Sequence, residues 1–205
     1  MTDGQRRRWL QLALLGALLA PVAHVVVLIV NGQNPIPTPI SRLSREGLAW
    51  LQTGALVLFG VAHVALAIAL GGLDRGRLWP IARGLLAAAG IGNAYLAVYF
   101  VNASDAVLYG PGANDPLWVI ASLTGLAMGA VLPGLARQVR LLGAFTLLTL
   151  GVWLWLVPTI FLVTESWLGL YERIVGAVYV IWIAGVSWGL IRVVDGGGRG
   201  PQDPG

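Results

Sequence analysis

Asn31–Gly47 reads NGQNPIPTPISRLSREG and is the only long polar insertion in the first hundred residues. Hydrophobic runs flank it on both sides, so it reads as an outward-facing loop folded back over a bundle of apolar helices. Pro35, Pro37 and Pro39 alternate within it. That spacing predicts an extended, polyproline-like arm, because each ring fixes φ and keeps the preceding residue out of the helical region. Beyond the arm, Ile40, Leu43, Leu48 and Leu51 fall on one helical face, with Arg42, Arg45 and Glu46 elsewhere. This pattern predicts either a short interfacial helix leading into the next apolar run or a simple amphipathic connector.

The flanking runs set the class. Apolar residues fill 57% of 205 positions, charged residues only 11%, and the mean hydropathy is +0.78. Soluble domains carry about 25% charge, so this chain cannot cover itself with a water-compatible surface and is read as an integral membrane protein. It has no cysteine, which removes disulfides, thiolate chemistry and cysteine-ligated metals. All thirteen cationic residues are arginine, so no lysine is present to form a Schiff base. The net charge of +4 is read as lipid-facing and topology-setting, with no nucleic-acid partner.

A spanning helix needs roughly 20 apolar residues. Six segments qualify: Trp9–Val30, Ala49–Leu70, Ile81–Val101, Leu117–Leu135, Leu142–Val163 and Leu170–Val193. Arg6, Arg7 and Arg8 precede the first, which resembles a signal peptide. Its apolar run of 22 residues lacks a small-x-small cleavage site, so it is kept as an anchor. Placing both termini in the cytoplasm puts ten arginines inside and only Arg42, Arg45 and Arg173 outside. The expected architecture is therefore all-α: a six-helix bundle of the plasma membrane with both termini cytoplasmic. Residues 1–8 form a basic N-terminus, 9–193 the spanning domain and 194–205 a disordered Gly/Pro-rich tail. Inner links are short, as at Gly71–Pro80 and Ala136–Leu141. The outer loops Asn31–Gly47 and Asn102–Pro116 are longer, and Thr164–Gly169 is a short outer link.

Small residues recur at four-residue spacing: Gly84, Ala88 and Gly92; Gly125 and Gly129; Gly185 and Gly189. Such faces let helix backbones approach closely where the hydrophobic effect is absent. Pro21, Pro133 and Pro158 lie inside spans and are candidates for kinks. Trp9, Trp50, Trp79, Trp118, Trp167 and Tyr171 sit near span ends, where amphipathic rings settle at the headgroup level. Tyr95, Tyr99, Trp153, Trp155, Tyr179 and Trp182 lie deeper and are expected to fill helix interfaces, the alternative being the lining of a cavity for a lipid or isoprenoid chain.

Candidate chemistry is sparse. His24 and His63 are the only histidines, and both fall inside spans. At about 1.5 Å per residue they differ by roughly 12 Å in depth, too far to share a metal. Neutral histidines hydrogen-bonded to a neighbouring helix are expected, with no metal and no cofactor. Asp115 precedes Pro116, a pattern that opens a helix. Glu172 and Arg173 open the last span; adjacent positions point about 100° apart, so each should meet a different partner, for example Glu172 with Arg42 or Arg45. Ser41 and Ser44 stand at the same rim. No G-x-S-x-G elbow, H-E-x-x-H, P-loop or dinucleotide fingerprint occurs. Asn102-Ala103-Ser104 is read as a chance sequon.

PTPISRLSREGLAWLQTGALVLFGVAHVALAIAL, from Pro37 on, resembles the loop-to-second-span segment of the uncharacterised membrane family called domain of unknown function 998. GLYERIVGAVYVIWIAGVSWGLIR, from Gly169 on, resembles that family's G-L-x-x-R-I opening of the last helix. The resemblance covers about residues 10–193 and implies six spans with inner termini. Relatives often carry an Asp after the third span and a histidine-containing segment opening the fourth. Here VNASD supplies Asp105, and NDPLWVIAS has no histidine. The resemblance implies architecture and leaves the activity open. The expected site is an outer mouth formed by Ser41, Arg42, Ser44, Arg45, Asp115, Glu172 and Arg173. Membrane lipid or an isoprenoid amphiphile would be the partner, its anionic headgroup held by guanidinium. The alternatives are a non-catalytic accessory subunit of a larger membrane complex and, third, a small-molecule transporter.

Overall fold

A computed structural model describes residues 1–43, 47–73, 76–102, 115–159 and 162–197. Its helices are α1 (Asp3–Val30), α2 (Ile40–Leu43), α3 (Ala49–Ala69), α4 (Trp79–Asn102), α5 (Asp115–Gln138), α6 (Arg140–Thr159) and α7 (Glu165–Gly197), with a 3-10 turn, Leu70–Gly72, closing α3. Among the described residues, six helices are long and apolar enough to cross a membrane. The protein is an all-helical, multi-pass membrane protein.

Both terminal helices run further than the apolar runs alone predict. α1 starts at Asp3 because Thr2 and Gln5 form a reciprocal capping box that satisfies its first backbone donors. Arg6 then pairs with Asp3 at 2.8 Å, and Arg7 meets Asp195 of α7 at 3.2 Å. That last contact joins the first and last helices.

Each long helix packs on its neighbours in sequence, and α7 closes on α1, so the six form a ring; α3 also touches α7 across it. Apolar side chains face both the interior and the surrounding lipid, as expected where no amphipathic stripe is needed. Leu10, Leu66, Leu86, Met128, Leu135, Trp182 and Ile183 are fully buried, whereas Leu15, Val22, Leu148 and Trp155 point outward.

Several expectations are corrected. The backbones of α3 and α4 meet at Gly60 and Gly90, which belong to none of the expected faces; of the expected α4 face, Gly92 makes room for Ile120 of α5. A Cβ on Gly60 would lie 2.5 Å from the Gly90 carbonyl oxygen, and one on Gly84 would meet nothing within 4 Å. Gly125, Gly185 and Gly189 do make room, for Trp153, Phe145 and Leu142 respectively. The link between α5 and α6 shrinks to Val139, since Gly143 lets the α6 backbone lie against Ala136. Trp79 opens α4, at a span end as expected, but it is buried in the bundle, with Nε1 donating to the Leu70 carbonyl at 2.7 Å. Tyr95 and Trp155 face outward and fill no helix interface.

The Asn31–Gly47 segment does fold back over the bundle, but it is not an extended arm. Asn34 accepts from the Ile36 amide through Oδ1 at 3.0 Å and from the Thr38 amide through its carbonyl at 3.3 Å, so Pro35–Pro37 turn. An Asn side chain that bonds two residues ahead nucleates a turn whatever the prolines prefer. The short helix expected after the arm is α2, Ile40–Leu43, with Leu43 fully buried. Gly47, at φ +50°, closes the base of the loop against the Asn31 side chain. Ser44, Arg45 and Glu46 lie outside the described residues, as do Asp105 and the rest of 103–114.

Candidate functional site

The loop and the start of α7 are made to fit one another. Gly169 has no side chain, and a Cβ there would collide with the Thr38 carbonyl. One turn later, Arg173 uses that close approach. The two hydrogens of its Nη1 are shared among the carbonyls of Pro35 (2.8 Å), Thr38 (2.7 Å) and Gly169 (2.6 Å), and its Nε donates to His24 Nε2 (3.0 Å). Glu172, only 9% exposed, points elsewhere and accepts the Ile40 amide through Oε2 at 2.8 Å. The backbone adds Leu170 N–H to the Ile36 carbonyl at 2.9 Å. The two adjacent charges thus meet different partners, as the helical geometry requires.

The hydrogen bonds fix the state of His24. Arg173 can only donate, so His24 Nε2 must accept, which puts the ring proton on Nδ1. Nδ1 then donates to Gln52 Oε1 at 2.8 Å. Arg173, His24 and Gln52 form a directed chain from α7 through α1 to α3 around a neutral imidazole.

Below this polar cap lies a cavity of about 380 Å³ inside the ring, walled by α1, α3, α4, α5 and α7 with Ile40 of α2. That volume falls in the usual range for small-molecule sites, roughly 300–1,000 Å³. Its walls are mostly hydrocarbon, from side chains such as Ala55, Phe59, Ile120 and Val180. At the loop end it meets His24, Gln52, Glu172 and Arg173; deeper in, it meets His63, Asn93, Thr124 and Tyr179. Val25, Ala177 and Ile181 line it and are also exposed on the outer face of the bundle. The cavity therefore opens sideways at the seam between α1 and α7. Gly176 stands at that seam with nothing within 4 Å of a would-be Cβ.

Three buried polar atoms around the cavity have no hydrogen-bond partner: Glu172 Oε1, Arg173 Nη2 and His63 Nε2. Such atoms are rare in folded proteins because each forfeits its solvation without replacement.

Comparison with protein families gives a match to the model described as "Protein of unknown function (DUF998)" over residues 14–189. The chain belongs to the DUF998 family. No curated protein and no solved structure matches it. In this DUF998 protein the matched region covers the four middle spans and most of the first and last. Arg173, Glu172 and Gly169 bring together the Pro-rich loop and the opening of the last helix, both inside the matched region.

Of the residues expected at the mouth, the structure brings Glu172 and Arg173 to the cavity. Arg42 is exposed on α2, and Ser41 belongs to the same turn. Asp115 opens α5, and Ser44 and Arg45 lie outside the described residues. Glu172 Oε2 takes the Ile40 amide where a partner such as Arg42 or Arg45 was expected. His24 bonds across helices as expected, but His63 bonds within its own helix, Nδ1 donating to the Phe59 carbonyl at 2.9 Å. Gln52, Asn93 and Thr124 were not anticipated. Their only signal in the sequence is an uncharged polar residue inside an apolar run. Among the described residues, no group of three His, Cys, Asp or Glu side chains could hold a metal ion.

Proposed function

We propose that this DUF998 protein binds an amphiphile, a lipid or isoprenoid chain taken from the outer leaflet of the plasma membrane into the cavity of the helix ring. One observation carries the reading. A hydrocarbon-walled cavity, open to the lipid side, ends at Glu172 and Arg173, each of which has one buried side-chain atom without a partner. Glu172 and Arg173 offer one acceptor and one donor with no net charge between them. A hydroxyl or zwitterionic headgroup satisfies both, while the chain replaces lipid contacts with the apolar walls. Ser41, Arg42, Ser44, Arg45 and Asp115 would form the rim that the headgroup passes.

This reading is preferred over a non-catalytic subunit of a larger complex because Gly125, Gly185 and Gly189, candidate docking faces in the sequence, lie against side chains of the same chain. Native mass spectrometry of protein extracted in mild detergent tests it. The wild type should retain a lipid adduct. Gly176→Phe, which fills the open seam, should lose it, and Gly84→Phe on the lipid-facing side of α4 should keep it. Equal lipid occupancy in the wild type and Gly176→Phe would rule the cavity out as the binding site.

A further inference from the structure

The deep end of the cavity has its own chemistry. His63 is fully buried, and its Nδ1 proton is donated to the Phe59 carbonyl, so Nε2 carries a lone pair and has no partner. Thr124 is in a similar condition: its hydroxyl hydrogen goes to the Ile120 carbonyl at 3.0 Å, leaving the oxygen to accept. Asn93 gives one Nδ2 hydrogen to the Ala89 carbonyl at 2.9 Å, which leaves its second amide hydrogen to donate and its amide oxygen to accept. Opposite them, the Tyr179 oxygen accepts from Trp153 Nε1, so the phenol keeps its own hydrogen to donate. The residues lining this end of the cavity therefore offer three acceptors, from His63, Asn93 and Thr124, and two donors, from Tyr179 and Asn93.

We infer that this end is a hydroxyl-reading subsite, which selects amphiphiles carrying an alcohol on the chain about two helical turns below the headgroup. The inference rests on the amphiphile reading of the cavity and narrows its ligand. A hydroxyl donates once and accepts in return, which matches the acceptors of His63, Asn93 and Thr124 and the donor of Tyr179. A metal cation would look for carboxylates, and the cavity's carboxylate, Glu172, lies at the opposite end. The spacing follows from helix rise: His63 lies roughly 12 Å deeper than His24, and Tyr179 about 10.5 Å deeper than Glu172. At that depth in a bilayer an alcohol has no hydrogen-bond partner, so a chain hydroxyl gains more by entering this site than a plain chain does.

The experiment uses two lysophosphatidylcholines of equal chain length, one with a plain stearoyl chain and one with a mid-chain hydroxystearoyl chain. They compete for the full-length protein in detergent, and occupancy is read by native mass spectrometry. The wild type should favour the hydroxylated lipid about tenfold, the scale of one satisfied buried acceptor. His63→Phe should abolish the preference while still binding the plain lipid, and His63→Gln, which keeps an acceptor, should retain part of it. Thr124→Val removes an acceptor at nearly constant shape and should weaken the preference if His63→Phe does not fold. Equal binding of the two lipids by the wild type, or a preference unchanged in the folded variants, overturns the subsite and leaves the amphiphile reading standing. Binding of neither lipid overturns the amphiphile reading itself, and the subsite with it.

Discussion

Arg173 holds four acceptors drawn from α1, the loop and α7, so the loop end of the bundle is tied together by one guanidinium. Removing it would leave His24 Nε2 and three carbonyls without this donor, and of these only the Pro35 carbonyl is at an exposed position. Arg173→Gln should therefore destabilise the protein by about 2–4 kcal/mol, the usual scale for breaking a buried charged network. SDS titration from mixed micelles measures this, with the exposed Arg77→Gln as a control expected to stay within about 0.5 kcal/mol. A shift no larger than the control's would mean that the loop holds to α7 without the arginine. Arg173→Lys should recover little, because an ammonium cannot reproduce the planar fork that reaches Nε and Nη1 partners together. The GLYER segment was legible in the sequence as a charged opening to the last span. Its partners were not, since carbonyls of Pro35 and Thr38 have no sequence identity and His24 lies 149 residues away.

Among the elements, α3 and α4 show why small-residue spacing finds helix contacts only in part. The four-residue rule is satisfied by Gly84, Ala88 and Gly92, yet Gly84 faces open space and Gly92 lies against Ile120 of α5. The α3–α4 crossing instead rests on one glycine from each helix, Gly60 and Gly90, whose backbones touch. A single glycine per helix leaves no period to detect, and rotation about the helix axis, which decides the facing side, is set by packing. Gly60→Ala would force a methyl onto the Gly90 carbonyl, a backbone atom that cannot swing aside. We expect a loss of about 1–3 kcal/mol for it. Gly84→Ala should be neutral or stabilise by up to about 1 kcal/mol through its better helix propensity. Heat-induced aggregation midpoints of the two variants in the same detergent separate these outcomes. A Gly60→Ala protein as stable as Gly84→Ala would mean that the two helices can part without cost.

At the scale of the molecule, hydropathy alone was enough for six spans because the lipid core demands long apolar helices and permits little else. The cavity was not legible. Gln52, Asn93 and Thr124 stand on three different helices, and only ring closure, with α7 returning to α1, brings them to face one space. Which side of the membrane that space opens toward follows from the arginines. Arg77 and Arg140 stand at the ends of helices opposite the loop, and Arg42 stands on the loop itself. The excess of arginine at the end opposite the loop predicts that the loop is extracytoplasmic and both termini are cytoplasmic. The absence of cysteine makes the test direct, because single cysteines can be introduced into the otherwise unaltered chain. Arg42→Cys in intact cells should react with a membrane-impermeant maleimide, whereas Arg77→Cys and Arg140→Cys should react only after the membrane is opened. The reverse pattern would put the loop in the cytoplasm. The seam between α1 and α7 would then face the inner leaflet at the depth of Gly176, and the proposed amphiphile would have to come from that side.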